Sequence, residues 1–371
     1  MNALPLRRIA HIDTGLSLRG GQRQMLLLAK GLRERGHEQF IVCLEGSSLE
    51  ERAQREGFGV FALPAHDPWH AFGVLLWRQQ LQIWAPQILH AHDGGGQTVA
   101  WLASMGLPLR RVASRRVTFF PSDRWSYSLK YKRTCHAVVA VSENIRELSV
   151  QAGVPRERIT VIPDGIEIPP ELPTAAERLR LRASWQCKDD DFAVGILGAS
   201  TPEKGQDLAL AALALLAEKL PNMRLVFAGD EAASPANRLI PGAKLDSARI
   251  LDLGPIEGLA NFLPGLDVFV MPSKAEGLGS SALWAMAYGL PVVASRVGGL
   301  PEIVVDDETG WLIPPGSPQA LADAILIASR DRGMLAEFGG NGRKRAEGFS
   351  AAIMVSRTEA LYRRLLSGGL P

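Results

Sequence analysis

The sequence predicts an α/β chain folded as two units, each a parallel sheet with crossover helices. Three observations carry this expectation. Short apolar, β-branched runs alternate with helical patterns almost from end to end, as strands joined by helices do. A Pro-rich break, IPPELP at residues 168–173, interrupts the alternation midway, and the same pattern then restarts. A length of 371 residues is enough for two cores of ordinary size.

Taken in order, the strands expected in the first half are residues 9–13, 40–44, 60–63, 88–92, 112–114, 137–141 and 159–162. Between them lie helices such as 22–35, whose leucines share one face and whose end is marked by Gly36. In the second half a helix begins near Thr174, followed by strands at 192–197, 225–228, 250–253, 268–271 and 292–294. The units expected are 1–167 and 168–350, with a last helix near 351–366 within the tail 351–371.

Composition narrows the function classes. With 46% hydrophobic and 22% charged residues the chain reads as a soluble globular protein. No uninterrupted apolar run reaches the roughly 18 residues needed to span a bilayer. The N-terminal apolar run breaks at Asp13 and reads as a first strand rather than a signal peptide, so the compartment expected is the cytoplasm. Cys43, Cys135 and Cys187 lie far apart, which suggests neither a disulfide framework nor a zinc site.

The net charge of +2 conceals an asymmetry. Residues 1–170 carry 21 Lys/Arg against 15 Asp/Glu, and the remainder carries 20 against 24. Positive charge concentrates at residues 109–133, where eight Arg/Lys face only Asp123. Phe119, Phe120, Trp125, Tyr127 and Tyr131 are interleaved with them. The segment reads either as a solvated surface or as a site for an anionic acceptor or an anionic membrane surface. No nucleic-acid motif accompanies the patch, so nucleic acid is not an expected partner.

Ligands of open α/β sheets bind beyond the C-terminal strand ends, and four loops in such positions are glycine-rich or polar. The loop Leu18-Arg19-Gly20-Gly21-Gln22-Arg23 lets backbone amides approach a phosphate at a helix start, although a plain βα turn looks the same. In His90-Ala91-His92-Asp93-Gly94-Gly95-Gly96, alternation puts His90 and His92 on one face. His-x-His is a metal-ligand spacing, but no third ligand is apparent, so a polar strand end is the preferred reading and no metal is expected. The loop 198–205 places Lys204 before a helix, where it can neutralise a diphosphate leaving group. The loop 272–279 offers glycine amides and the Glu276 carboxylate to sugar hydroxyls, before Ser280 and Ser281, which are also ordinary helix caps. The run Asp189-Asp190-Asp191 precedes a strand and so falls at the wrong end of its sheet.

Further stretches carry a resemblance: VSE at 141–143, VIPDGI at 161–166, FAGD at 227–230, DVFVMPS at 267–273, EGLG at 276–279, AMAYGLPVVA at 285–294, GGLPE at 298–302 and TGWLI at 309–313. In this order and spacing they resemble glycosyltransferase family 4, the retaining enzymes of the GT-B fold. The match is nearly chain-long and strongest between about residues 138 and 324.

The resemblance implies two Rossmann-like domains facing across a cleft, with nucleotide-sugar on the C-terminal side and acceptor on the N-terminal side. The last helix would cross back to the N-terminal domain. Donor contacts would come from Gly21, Ser200, Lys204, Gly229, Ile256, Glu276, Gly277, Leu278, Gly279 and Trp284. Lys204, Glu276, Arg116 and His92 would carry catalysis, and Arg115, Arg116 and Asp93 would meet the acceptor. The reaction would be metal-independent and need no cofactor beyond the nucleotide-sugar. An acceptor hydroxyl would attack the anomeric carbon from the front face, so positioning and charge stabilisation replace a protein nucleophile.

Three positions depart from the family pattern. Trp284 replaces the second glutamate of Glu-x7-Glu, Ala199 replaces the arginine that accompanies Lys204, and Arg116 stands at the usual histidine. The leading expectation is transfer of a sugar to a saccharide or lipid-linked acceptor of the cell-envelope polysaccharide or lipopolysaccharide type. A degenerate protein that binds nucleotide-sugar or a partner without turnover is the alternative, and an epimerase or phosphorylase is a weaker third.

Overall fold

The structure, a computed structural model, describes residues 7–64, 71–119, 124–199, 201–229 and 247–369. Ser200, Phe120, Asp123 and Asp230 lie outside the described residues, as do the side chains of Trp125 and Tyr127. The chain divides into two compact units, residues 1–165 with 351–371, and residues 166–350.

The first unit is built on a seven-stranded parallel sheet: β1 (Arg8–Ile12), β2 (Glu38–Leu44), β3 (Gly59–Leu63), β4 (Ile88–Ala91), β5 (Arg110–Arg115), β6 (Ala137–Ala140) and β7 (Ile159–Val161). Its order is β3-β2-β1-β4-β5-β6-β7. The central strands β1, β4 and β6 are buried on both faces, which is why they read as apolar runs rather than alternating ones. The helices are α1 (Gly20–Glu34), α2 (Ser48–Arg55), α3 (Ala71–Trp84), α4 (Gly94–Ser104), α5 (Arg124–Thr134) and α6 (Glu143–Gln151).

The second unit holds α7 (Ala175–Ser184), β8 (Phe192–Leu197), α8 (Gln206–Leu215), β9 (Met223–Ala228), β10 (Ile250–Asp252), β11 (Val268–Met271), α9 (Ser280–Ala287), β12 (Val292–Ser295), α10 (Leu300–Ile303), β13 (Gly310–Ile313), α11 (Pro318–Ala328) and α12 (Arg332–Glu347). Its order, β10-β9-β8-β11-β12-β13, repeats that of the first six strands of the first unit, and β7 has no counterpart. Thr174 caps α7 in a capping box with Glu177. The strand β13 was not among those expected.

The last helix, α13 (Ala351–Leu366), belongs to the first unit. It packs on α1 and contributes Met354, Val355, Leu361, Tyr362 and Leu365 to a core shared with Ile9, Ile88 and Val112. Glu359 ties it to the turn between α1 and β2, accepting from Arg35 at 2.8 Å and lying 3.1 Å from His37 Nε2.

In both units the strand order reverses between the first strand and the fourth: β1 beside β4, and β8 beside β11. Loops leaving the two strands at such a switch point go to opposite faces of the sheet and leave a crevice. The four loops singled out in the sequence are the ones that follow β1, β4, β8 and β11.

Candidate active site

In the second unit the loops after β8 and β11 are stitched together. The Lys274 amide donates to the Glu203 carbonyl at 2.7 Å, and Lys274 Nζ donates to Asp207 Oδ2 at 2.9 Å. Gly205 sits at φ +68°, and a Cβ there would fall 1.9 Å from the Pro272 carbonyl oxygen, so only glycine admits this approach. The result brings Lys204 Nζ to 2.7 Å from Glu276 Oε2 across the switch point. Lys204 is 30% exposed and Glu276 14%, so the pair is reachable by a ligand.

Beyond Glu276, Gly277 and Leu278 are buried and Gly279 turns into α9 at φ +104°. A Cβ on Gly279 would meet Leu300 Cδ2 at 2.5 Å. Among the described residues no side chain caps α9, so its first-turn amides and positive dipole end face the same loop. Trp284, one turn on, is half-buried. Gly229 closes β9 beside Gly198, and Ile256 is half-buried in the loop after β10. Asp191 lies at the opposite end of this sheet and accepts from Arg224 at 3.0 Å, a structural role.

The first unit places a different kind of site at its switch point. Asp93 caps α4, accepting from the amides of Gly95 and Gly96 at 3.0 Å each. It also accepts from the Thr14 amide at 3.0 Å and the Thr14 hydroxyl at 2.5 Å. Asp13 accepts from Gln22 at 2.7 Å and the Gly15 amide at 2.8 Å. Burial, with Asp93 close by, raises Asp13 to about 6. Lys130 donates to the Gly94 carbonyl at 2.7 Å, and burial lowers its pKa.

Behind these carboxylates lies a buried relay. Arg116 donates through Nε to Asp164 Oδ1 at 2.9 Å, and its Nη1 lies 3.3 Å from His92 Nδ1. Because a guanidinium can only donate, His92 Nδ1 is the acceptor and its Nε2 carries the proton. His92 Nε2 then donates to His11 Nδ1 at 3.0 Å, and His11 Nε2 to Gln39 Oε1 at 2.9 Å. His90 sits between Tyr362 Oη at 2.6 Å and Ser114 Oγ at 2.8 Å. Burial holds His11 at about 4 and His90 and His92 well below the ordinary imidazole value, so all three are neutral at pH 7.

This network corrects the sequence reading in two respects. A third histidine does converge on His90 and His92: β1 and β4 pair in register with His11 opposite His90, and the three rings offer nitrogens within 4.8 Å of one another. Every ring nitrogen is nevertheless taken by a hydrogen bond, and a guanidinium borders the cluster, so the arrangement suits a relay better than a ligand set. His92, expected to be catalytic, is only 5% exposed, and its Nδ1 accepts from Arg116 rather than opening to a ligand.

Arg116 itself gathers contacts from four elements: it follows β5, bonds to residues after β4 and β7, and lies 4.0 Å from where a Cβ on Gly21 would stand, in the first turn of α1. Arg115 ends β5, half-buried. The basic segment is not one patch, however. Arg115, Arg116 and Lys130 lie toward the C-terminal strand ends, whereas Arg110, Arg111, Lys132 and Arg133 line a cavity at the N-terminal ends. His11, Asp13, Gln39 and Asp164 were not foreseen as site residues. The available signal was the polar pattern shared by His11-Ile12-Asp13 and His90-Ala91-His92-Asp93 at the ends of two apolar strands.

Comparison with known proteins settles the family. Residues 18–168 match the family described as Glycosyltransferase Family 4, and residues 177–345 match Glycosyl transferases group 1. The chain belongs to the family 4 glycosyltransferases. A D-inositol 3-phosphate glycosyltransferase from Segniliparus rotundus is 27% identical over 310 residues, 78% of this chain and 68% of the relative. A second such enzyme, from Kribbella flavida, is 30% identical over 232 residues, 60% of this chain and 54% of the relative. The putative glycosyltransferase EpsD of Bacillus subtilis is 33% identical over 186 residues, 50% and 49% of the two chains. The matches thus span about half to two thirds of these relatives.

Among solved structures, a glycosyltransferase from Rickettsia africae superposes with TM-score 0.88 at 20% identity, covering 99% of this chain and 100% of that one. HepE of Anabaena, solved with UDP and glucose, superposes with TM-score 0.84 at 21% identity over 95% and 98%. These likenesses establish the fold, GT-B with two Rossmann-like parallel-sheet domains.

Proposed function

We propose that this glycosyltransferase moves a sugar from a nucleotide-sugar to a saccharide or lipid-linked acceptor of the cell envelope, with retention and without a metal. The observation that supports it most is the Lys204–Glu276 pair at the switch point of the second unit, beside the open amides of α9. A cation and helix-start amides suit a diphosphate that gains charge as the glycosidic bond breaks. Glu276 suits the sugar hydroxyls, and the half-buried Trp284 offers a flat apolar face where the family pattern has a carboxylate.

On this reading the first unit serves the acceptor. Arg115, Arg116 and Asp93 meet it, and the relay through His92 and Asp164 fixes the Arg116 guanidinium. An acceptor that ends in a lipid fits the exposed Leu16, Val117 and Phe119, which lie on the loops after β1 and β5. The basic surface would attract an anionic membrane, consistent with a peripheral protein at the cytoplasmic face. No helix among the described residues is long and apolar enough to cross a bilayer.

The anomeric proton of the product, followed by NMR from the first turnovers, tests the stereochemistry. An α-linked donor should give an α-linked product, and β-linkage in the first product would overturn retention. Activity unchanged by EDTA is expected, and loss of activity restored by added divalent cation would overturn metal independence.

A further inference from the structure

A second cationic site lies at the other end of the first unit's sheet. Arg110 opens β5, His136 precedes β6, Arg158 precedes β7, and Lys132 and Arg133 close α5. With Gly368 and Gly369 beyond α13 they line a cavity of about 280 Å³. Among the described residues, five of the lining side chains are cations and none is a carboxylate. Among the described residues, none of the five is in an ion pair.

Three of these cations are held in place by groups that cancel no charge. Arg110 donates to the Leu365 carbonyl at 3.2 Å, Arg111 to the Thr134 carbonyl at 2.7 Å, and Arg158 to the Lys132 carbonyl at 2.9 Å. Each bond fixes the guanidinium and leaves most of its five donors for another acceptor. Lys132 and Arg133 are exposed at the rim. The concentration of charge is felt inside: burial, then Arg111 and Arg110, push the His136 imidazole down to about 4. Like charges assembled without counter-charge are unfavourable unless an anion joins them.

We propose that this cavity binds a phosphate group, as a free phosphate or phosphate ester or as the headgroup of an anionic lipid. Guanidinium forks match phosphate oxygens in pairs, and the volume is below the roughly 300–1,000 Å³ typical of larger organic ligands. The site is separate from the transfer site: Arg110 and Arg115 are five residues apart on one strand, about 16 Å. It does not depend on the identity of donor or acceptor.

The test uses the full chain at constant ionic strength, with inorganic phosphate followed by ³¹P NMR line broadening. A parallel arm measures co-sedimentation with phosphatidylglycerol and with phosphatidylcholine vesicles. Each arm is run on wild type, on the double variant Lys132→Gln/Arg133→Gln, whose side chains are exposed, and on Lys204→Ala. Binding that persists in Lys204→Ala and weakens about tenfold or more in the double variant is expected, since two charge-assisted contacts are lost. A response to inorganic phosphate assigns a free phosphate, and a response to phosphatidylglycerol vesicles alone assigns a lipid headgroup. No binding in either arm overturns the proposal. So does binding unchanged in the double variant, including binding lost only in Lys204→Ala, which would belong to the second unit.

Discussion

The two units share one strand order and one kind of switch point, yet furnish it in opposite ways. In the first unit the crevice is backed by a closed network. Arg116, Asp164, His92, His11 and Gln39 are linked in series and almost wholly buried. In the second unit the crevice holds a partly exposed Lys204–Glu276 pair and, among the described residues, the uncapped start of α9. Identical topology therefore fixes where a site lies and not what it does. The closed network is suited to holding one cation still, and the open pair to exchanging partners with a ligand.

The comparison breaks most visibly at Arg116. Arg116→Ala strands the nearly buried Asp164 carboxylate and should cost roughly 3 kcal/mol of stability, with turnover falling about 10²-fold. Arg116→Lys keeps the charge and loses the double contact to Asp164 and His92, so it should recover stability more than turnover. Urea unfolding and initial rates on the two variants check this, and equal recovery of both quantities would count against a positioning relay.

Lys204→Ala is the counterpart in the second unit. Its partly exposed ion pair contributes about 1 kcal/mol or less, so unfolding should barely change. Turnover should nevertheless fall about 10²-fold, because on the proposed function the lost interaction is with the leaving group. Initial rates at saturating donor, beside the unfolding midpoint, separate the two effects. Unchanged rates would remove Lys204 from the mechanism.

The pH dependence of stability should distinguish the units as well. Unfolded, the three relay histidines take up protons near pH 6.5, whereas folded they resist. Between pH 6.5 and about 4 the unfolded chain thus binds more protons, and stability falls with falling pH, by up to about 1.4 kcal/mol per pH unit per histidine. Asp13 acts the other way, since its raised pKa costs stability as pH rises from about 4 to about 6. His136, also held at about 4, acts in the same sense as the three, so one group against four leaves the histidines dominant. His11→Asn should flatten the decline measured by urea unfolding at a series of pH values, and an unchanged slope would mean that His11 is not held neutral.

The smallest effect expected is at Glu276. With Glu276 in the orienting role proposed above, Glu276→Gln keeps hydrogen-bonding atoms for sugar hydroxyls, so turnover should stay within about tenfold of wild type. Intact-protein mass spectrometry during turnover supplies the sharper check: a glycosyl adduct on Glu276 would contradict the orienting role.

The sequence was most informative where apolar runs were long and bounded by glycine or proline. Strands at 192–197 and 268–271 are found at the bounds expected, and the others expected differ by one or two residues at an end. β13 escaped because its four residues, Gly310–Ile313, follow a turn without a run long enough to stand out. The two loops holding Lys204 and Glu276 were legible because glycines and a helix start mark each of them locally. The relay was not, because His11 meets His90 and His92 only through pairing of strands about 80 residues apart. The basic segment 109–133 misled for a related reason. Closeness in sequence suggests one patch, yet a six-residue strand carries Arg110 and Arg115 to opposite ends of the sheet.

The most direct test of the open-pair account is donor binding. Thermal unfolding is measured with UDP-, GDP-, ADP- and CMP-linked sugars, on wild type and on Lys204→Ala. A ligand at a hundredfold excess over its dissociation constant stabilises its site by about 2.7 kcal/mol. The account predicts that at least one donor class raises the wild-type midpoint and that the rise is largely lost in Lys204→Ala. A donor-dependent rise that is undiminished in Lys204→Ala, or no rise with any of the four classes, would contradict it.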